Sequence, residues 1–191
     1  MLNRFRKALE PAINRFGVYA SKTGLPPTFF TFLGALFAFF SGFAFSILFL
    51  NSIVGGLLFL LSGFADILDG SVARATGSVS ARGAFYDSTL DRVAEIFVFI
   101  GIISGGYIDP VIVLITLSLS LMVSYARAKG ESLGINLSGT GIGERAERIL
   151  VLSIASIVGF VNYGVMIVLV LALITFIHRS VIITRSLKPK I

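Results

Sequence analysis

Long uncharged runs, interrupted by short polar segments, dominate the pattern of hydrophobic and polar residues. Residues 23–65 are 43 consecutive positions without a charged side chain, and residues 149–177 are another 29. A helix needs about 20 apolar residues to cross a membrane. Asn51 and Ser52 divide the first run, and residues 162–164 divide the second. The pattern therefore predicts an all-α integral membrane protein.

Six transmembrane helices fit the chain. They lie near residues 28–49, 53–75, 83–105, 111–129, 142–161 and 165–186. The second must continue beyond its uncharged part, because residues 53–65 number only 13 and are too few to cross. This continuation places Asp66 and Asp69 inside the helix. For the same reason the fifth helix must begin early, which places Glu144 and Arg145 on its first turns. The remaining connections are polar segments at residues 76–82, 105–110 and 130–143.

The first 22 residues follow a different pattern. Apolar side chains recur every three or four positions, at Leu2, Phe5, Leu9, Ile13 and Phe16. Basic side chains occupy the other faces, so this helix is suited to lie in the membrane interface, with a kink or restart at Pro11. We therefore divide the chain into a juxtamembrane amphipathic helix, residues 1–22, and a six-helix transmembrane catalytic domain, residues 23–191. An ordinary solvated N-terminal helix is the alternative.

Composition and charge agree with membrane residence and set an orientation. Hydrophobic residues make up 55% of the chain and charged residues only 14%, against about a quarter charged in soluble domains. The turns near residue 51, at 105–110 and at 162–164 contain no Lys or Arg, and all 16 basic residues lie on the other side. Because basic segments stay in the cytoplasm, we expect a multi-pass protein of the cell membrane with both termini cytoplasmic. This distribution explains the net charge of +6 without nucleic acid as a partner.

Four of the ten carboxylates of the chain lie within residues 66–91. Asp66 and Asp69 are three positions apart and Asp87 and Asp91 are four apart, so each pair projects from one face of its helix. The short connection between the two helices predicts that they are antiparallel neighbours. Carboxylates at membrane depth are costly and mark a functional site. We expect them to face a polar cavity that opens to the cytoplasm.

The ligand types in this group indicate a divalent metal ion. The group offers only oxygen ligands, and the chain contains no cysteine. Such a set suits Mg²⁺ or Mn²⁺, with Ca²⁺ as an alternative. A pair of ions would clamp the attacking and leaving oxygens of a phosphoryl transfer. The alternative is that the carboxylates only form salt bridges, with Arg74, Arg82 and Arg92 as partners.

Eight residues of this segment stand at defined spacings over 26 positions: Asp66, Asp69, Gly70, Ala73, Arg74, Gly83, Asp87 and Asp91. The complete spacing resembles the signature of the CDP-alcohol phosphotransferase family. By helical spacing, Gly70 and Ala73 extend the aspartate face and would let a flat group approach the backbone, although close helix packing uses small residues too. Thr28 departs from the Pro-Asn pair that many relatives carry before the first span.

The resemblance implies an activity and a role for each matched residue. The enzyme would transfer a phosphoalcohol from a CDP-linked donor to a hydroxyl acceptor and release CMP. Asp66, Asp69 and Asp87 would bind the metal and the CDP diphosphate, and Asp91 would complete the metal site and act as the base. The residues that would form the cytidine nucleotide site are Gly70, Ala73, Arg74 and Gly83.

A second cluster of basic residues indicates a phosphorylated acceptor. It combines the end of the fourth helix, the start of the fifth and the end of the sixth: Ser124, Arg127, Lys129, Arg145 and Arg185. A neutral acceptor would not need these charges, whereas a phosphate would; anchoring of the helix ends is the alternative. The two segments around residues 124–129 and 143–148 are similar to the phosphatidylinositol-phosphate synthase branch and its archaetidylinositol-phosphate relatives. That similarity implies inositol 1-phosphate as the acceptor and CDP-diacylglycerol or CDP-archaeol as the donor.

Three alternative functions and one assembly bear on the same residues. Glycerol 3-phosphate could replace inositol phosphate as the acceptor, or CDP-inositol could be the donor to inositol phosphate. A transporter would need polar residues towards the far side, where the predicted helices are almost wholly apolar. Small residues at Gly101 and Gly105 would allow a close helix seam, and the family resemblance also favours a homodimer.

Overall fold

The computed structural model describes residues 15–47, 52–137 and 139–187 of the chain. Within these residues every regular element is a helix, which confirms the all-α prediction. We number the helical residues 15–21 as α1; the others are α2 (Pro27–Ser46), α3 (Ser52–Thr76), α4 (Ala81–Ser104), α5 (Pro110–Ser132), α6 (Arg145–Ile157) and α7 (Val161–Ser186).

Within the described residues, four helices are long and apolar enough to cross a membrane: α2, α3, α5 and α7. The chain is therefore embedded in the membrane, as predicted. Helix α4 has 24 residues, but its first half carries several charged side chains. Helix α6 has only 13 residues and is about 20 Å long, shorter than the hydrocarbon core of about 30 Å. The six-span arrangement thus stays a prediction for α4 and α6.

The turn that we expected at residues 162–164 lies at residues 158–160 instead. Gly159 has φ of +87°, a conformation that glycine adopts without strain, and the Phe160 N–H donates to the Ala155 carbonyl at 2.7 Å. Asn162 therefore belongs to the first turn of α7. Gly164 allows α7 to pack closely against α6, because a Cβ there would lie 2.7 Å from the Ala155 Cβ.

The predicted juxtamembrane helix is only partly covered by the described residues. Its apolar positions before residue 15, and Pro11, lie outside them, as does most of the turn near residue 51. Residues 15–21 are helical, and the Phe16 ring meets the Phe64 ring of α3 edge-on at 6.0 Å. Phe16 and Tyr19 remain largely exposed, which suits an element lying against the bilayer.

Helix α2 packs closely against both α3 and α4, while the backbones of α3 and α4 lie further apart from each other. The predicted neighbours α3 and α4 therefore face each other through side chains across a gap, and not through close backbone packing. Small residues allow α2 to approach both helices closely. Gly34 faces Ser62 and Ala65 of α3. Gly42 lies against Phe97 and Gly101 of α4. The result is a gap between α3 and α4, into which side chains from both helices project.

Gly101 and Gly105 serve packing inside the chain. A Cβ on Gly101 would meet the Gly42 backbone, and a Cβ on Gly105 would meet the carbonyl oxygen of Phe45. Gly101 is buried. The proposed homodimer seam at these two glycines is therefore wrong, although the homodimer itself stays a prediction.

Replacing Gly101 by alanine should destabilise the protein. The new Cβ has no room against the Gly42 backbone, so α2 and α4 must separate, which typically costs about 1–3 kcal/mol. Thermal unfolding in detergent measures the effect. Ser104→Ala, at an exposed position of the same helix, is the control and should leave the midpoint unchanged. Equal midpoints for the two variants would contradict the close packing of α2 and α4.

Candidate active site

Three of the four signature aspartates meet in the gap between α3 and α4. Asp66, Asp69 and Asp87 each offer a carboxylate oxygen, and these oxygens lie within 4.8 Å of one another. The first two stand one turn apart on α3, and the four-residue connection at 77–80 returns the chain so that α4 presents Asp87 to them. Asp69 is buried, and the other two are half-buried.

This group fits a divalent cation. Its donors are all carboxylate oxygens, the type that Mg²⁺ and Mn²⁺ prefer. Asp69 Oδ2 is buried and has no hydrogen-bond partner among the described residues. A buried carboxylate oxygen without a partner is costly, and a cation between the three groups would supply the missing interaction.

Asp91 lies beside this group and is paired with an arginine. Arg145, the first residue of α6, places its Nη1 atom 2.8 Å from Asp91 Oδ1 and 3.0 Å from Asp66 Oδ2. These are close ionic contacts without the directed geometry of hydrogen bonds. The Arg145 and Asp91 side chains are only 16% and 15% exposed. Arg145 therefore joins the aspartates of α3 and α4, a link that the sequence analysis did not foresee.

A cavity of about 280 Å³ opens on the other side of Arg145, between α4, α5, α6 and α7. Three of the residues predicted for the acceptor phosphate line it: Ser124, Arg127 and Arg145. The other two do not. Lys129 and Arg185 are exposed, because helix periodicity turns them away from the face of α5 or α7 that borders the cavity.

The structure adds basic residues that the acceptor prediction omitted. Arg92, Arg148 and Arg179 also line the cavity, together with Glu131 and Glu144. Arg148 and Arg179 are each only 2% exposed. One signal in the sequence could have revealed Arg148, because it lies three positions after Arg145 and so shares its helix face. No comparable signal distinguishes Arg179 from Arg185.

The residues predicted for the nucleotide lie at the end of α3 and the start of α4. The Arg74 side chain folds back along α3 so that its Nη2 donates to Ser71 Oγ at 3.2 Å. A Cβ on Gly70 would lie 3.2 Å from Arg74 Nη1, so glycine leaves room for this guanidinium. Ser80 caps α4, because its Oγ accepts from the Gly83 N–H at 3.1 Å. Ala73 is half-buried on the same helix end, and the nucleotide role of all four residues stays a prediction.

Comparison with known proteins relates this arrangement to a family of enzymes. The family model described as CDP-alcohol phosphatidyltransferase matches residues 25–178. The archaetidylinositol phosphate synthase of Pyrococcus horikoshii is 37% identical over 179 residues, which cover 94% of this chain and 94% of the relative.

Two crystal structures of one bacterial protein share the fold. The Mycobacterium tuberculosis phosphatidylinositol phosphate synthase with CDP-DAG bound gives a TM-score of 0.75 at 24% identity, covering 90% of this chain and 92% of that one. The same protein in complex with manganese and citrate gives 0.76 at 23% identity, covering 93% and 90%. The residues matched by the family model include every aspartate of the site and both arginines at the start of α6.

Proposed function

Because the chain belongs to the CDP-alcohol phosphatidyltransferase family, we propose that it transfers a phosphatidyl-type group to inositol 1-phosphate and releases CMP. The donor is a CDP-linked lipid, either CDP-archaeol or CDP-diacylglycerol. The family resemblance drawn from residues 66–91 is confirmed. One observation supports the phosphorylated acceptor above all: the basic cavity adjoins the aspartate group, and Arg145 belongs to both.

Asp66, Asp69 and Asp87 are the residues that would hold the metal, Mg²⁺ or Mn²⁺. When bound, a divalent cation neutralises charge on the CDP diphosphate and on the departing CMP. A second ion, with Asp91 among its ligands, is part of the same proposal. Gly70, Ala73, Arg74 and Gly83 would accommodate the nucleotide. Arg74 adds positive charge on the side where CMP leaves.

Asp91 is the carboxylate best placed to act as general base. Asp87 and Asp91 both line the cavity, but Asp87 belongs to the three-carboxylate group. The acceptor hydroxyl oxygen would form a bond to the lipid-linked phosphorus of the donor, and its proton would pass to Asp91. The bond between that phosphorus and the oxygen of CMP would break at the same centre.

Of the cavity arginines, Arg127 and Arg145 would bind the phosphate of the acceptor. Arg127 stands on α5 with its exposed partner Glu131 at 2.8 Å, so a phosphate can compete for it at little cost, because exposed ion pairs contribute little. Arg145 would orient the acceptor towards Asp91. Ser124 supplies a neutral hydrogen-bonding group on the same wall.

The orientation and assembly follow from the same reasoning. We place the cavity and both termini on the cytoplasmic side, since the charged helix ends lie there by the positive-inside rule. The lipid tails of the donor would then remain in the bilayer while its nucleotide reaches the cytoplasmic face. Six membrane spans and a homodimer are part of the proposal.

An acceptor screen with purified protein tests this function. Either CDP-diacylglycerol or CDP-archaeol is supplied with a divalent metal, and products of each acceptor are identified by mass spectrometry. We expect inositol 1-phosphate to give CMP and a phosphorylated lipid product, with free inositol at least about a hundredfold less efficient in kcat/KM, as the loss of charge-assisted hydrogen bonds predicts. Preferential use of glycerol 3-phosphate, of CDP-inositol as donor, or of an unphosphorylated polyol would contradict the proposal.

A further inference from the structure

A second buried ion pair joins α4 and α6 one turn deeper than the pair of Asp91 with Arg145. Arg148 Nη2 donates to Glu95 Oε1 at 2.7 Å, and the two side chains are only 2% and 3% exposed. Glu95 follows Asp91 by four positions on α4, and Arg148 follows Arg145 by three on α6. The two helices are thus linked by two parallel charge pairs, of which only the outer one belongs to the proposed chemistry.

Arg148 also holds the backbone that leads into α6. Its Nη1 donates to the Gly143 carbonyl at 2.8 Å, and the Gly143 N–H donates to Thr175 Oγ1 of α7 at 2.9 Å. A Cβ on Gly143 would meet the Leu171 backbone at 2.7 Å. Glu95 therefore orients Arg148, and Arg148 anchors a residue two positions before Arg145.

The backbone packing of α6 does not by itself set its position relative to α4. Helix α6 packs mainly on α3 and α7, and its contact with α4 is sparse. Side chains that cross the gap to α4 therefore help to set the height of Arg145 against Asp91. The Arg148 guanidinium is held at its two terminal nitrogens, by the Gly143 carbonyl and by Glu95, and its planar shape fixes the direction of each bond. The Glu95–Arg148 pair supplies that constraint.

We propose that Glu95 and Arg148 are positioning residues that hold Arg145 at the junction of the aspartate group and the acceptor cavity. They set the affinity for the acceptor through Arg145 and do not touch the substrate themselves. This inference rests on the proposed function for the role of Arg145. It predicts that replacing Glu95 or Arg148 no longer changes the affinity for the acceptor once Arg145 is absent.

A double-mutant cycle tests the proposal. Arg145→Ala should raise the KM for the acceptor about 30-fold and that for the CDP-lipid less than twofold, as expected for a lost charged contact. Glu95→Gln and Arg148→Ala should each raise the acceptor KM about tenfold in the presence of Arg145. In the Arg145→Ala background each should change it less than about twofold, because residues acting through one contact are not additive. Full additivity would overturn the proposal. It is the result expected if Arg148 bound the acceptor directly.

Two further variants separate positioning from stability. Glu95→Met combined with Arg148→Met replaces the ion pair by apolar side chains, a change that buried pairs often tolerate; it should fold with a raised acceptor KM. Ser41→Ala removes the buried hydrogen bond from Ser41 Oγ to the Gly55 carbonyl, 2.7 Å long and outside the cavity. It should lower the unfolding midpoint without changing the acceptor KM. A folded double-methionine variant with the wild-type KM would overturn the proposal.

The cycle uses whichever polyol acceptor the wild-type protein turns over fastest. A wild-type preference for an acceptor other than inositol 1-phosphate would refute the proposed substrate. The coupling of Glu95 and Arg148 to Arg145 can still be measured with that acceptor. Failure of the proposed acceptor and failure of the positioning role are therefore distinguishable.

Discussion

Replacing Asp91 by asparagine should lower kcat by about a thousandfold, within the range of two to four orders of magnitude expected when a general base is removed. Asparagine keeps the size of the side chain but cannot accept the proton of the acceptor hydroxyl. CMP release at saturating concentrations of both substrates measures the effect. The variant should still bind divalent metal, because the carboxylates of Asp66, Asp69 and Asp87 remain grouped.

The matched control is Asp109→Asn. Asp109 caps α5 by accepting from the Val111 N–H at 2.8 Å. It lies in the turn that follows the last residue of α4, whereas Asp91 is in the first half of that helix. Asparagine caps helices equally well. This variant should retain the wild-type kcat. Because Asp91 also pairs with Arg145, a loss confined to the acceptor KM would assign Asp91 to the placement of Arg145. An Asp91→Asn variant that keeps more than about a tenth of the wild-type kcat would contradict its role as base.

Removal of divalent metal should abolish turnover, and Mg²⁺ or Mn²⁺ should restore it. The physical reason is that the substrate and the site are both negatively charged. A diphosphate must approach three carboxylates whose oxygens lie within 4.8 Å of one another. Without a cation these groups repel. CMP release is measured after chelation and dialysis, and again after each metal is added.

Thermal unfolding gives a second measurement of metal binding that does not depend on activity. A metal at a hundred times its Kd should stabilise the wild-type protein by about 2.7 kcal/mol through mass action. Asp69→Asn should lose most of this gain, since Asp69 supplies a buried carboxylate oxygen that has no hydrogen-bond partner in the described part of the chain. Asp109→Asn should keep it. Undiminished turnover after chelation, or an equal gain in the Asp69→Asn variant, would contradict the metal site.

The aspartate group and the family could be predicted because both depend on short-range regularities. Spacings of three and four residues place Asp66 with Asp69 and Asp87 with Asp91 whatever surrounds the helices. A connection of four residues between α3 and α4 then brings the two pairs to the same level. The apolar runs indicated membrane residence equally well, because a spanning helix requires a minimum length.

The boundaries of α6 and the partners of α3 and α4 could not be predicted in this way. The polar residues at 162–164 resemble a turn, yet Gly159 supplies the reversal, and Gly164 is needed where α7 approaches Ala155. Gly101 resembles a residue of an intermolecular seam but contacts Gly42. A small residue permits both a turn and a close contact, and only the neighbouring backbone decides between them.

By itself, the sequence determined that the protein is an α-helical membrane enzyme with four aspartates at one level. The tertiary structure decided which of the many basic residues line the cavity beside the aspartates. It turned Arg148 and Arg179 inward, left Lys129 and Arg185 exposed, and placed Arg145 between Asp66 and Asp91. The reason is that helix periodicity is local, whereas the face that a helix turns towards a cavity depends on its rotation against neighbours distant in the chain.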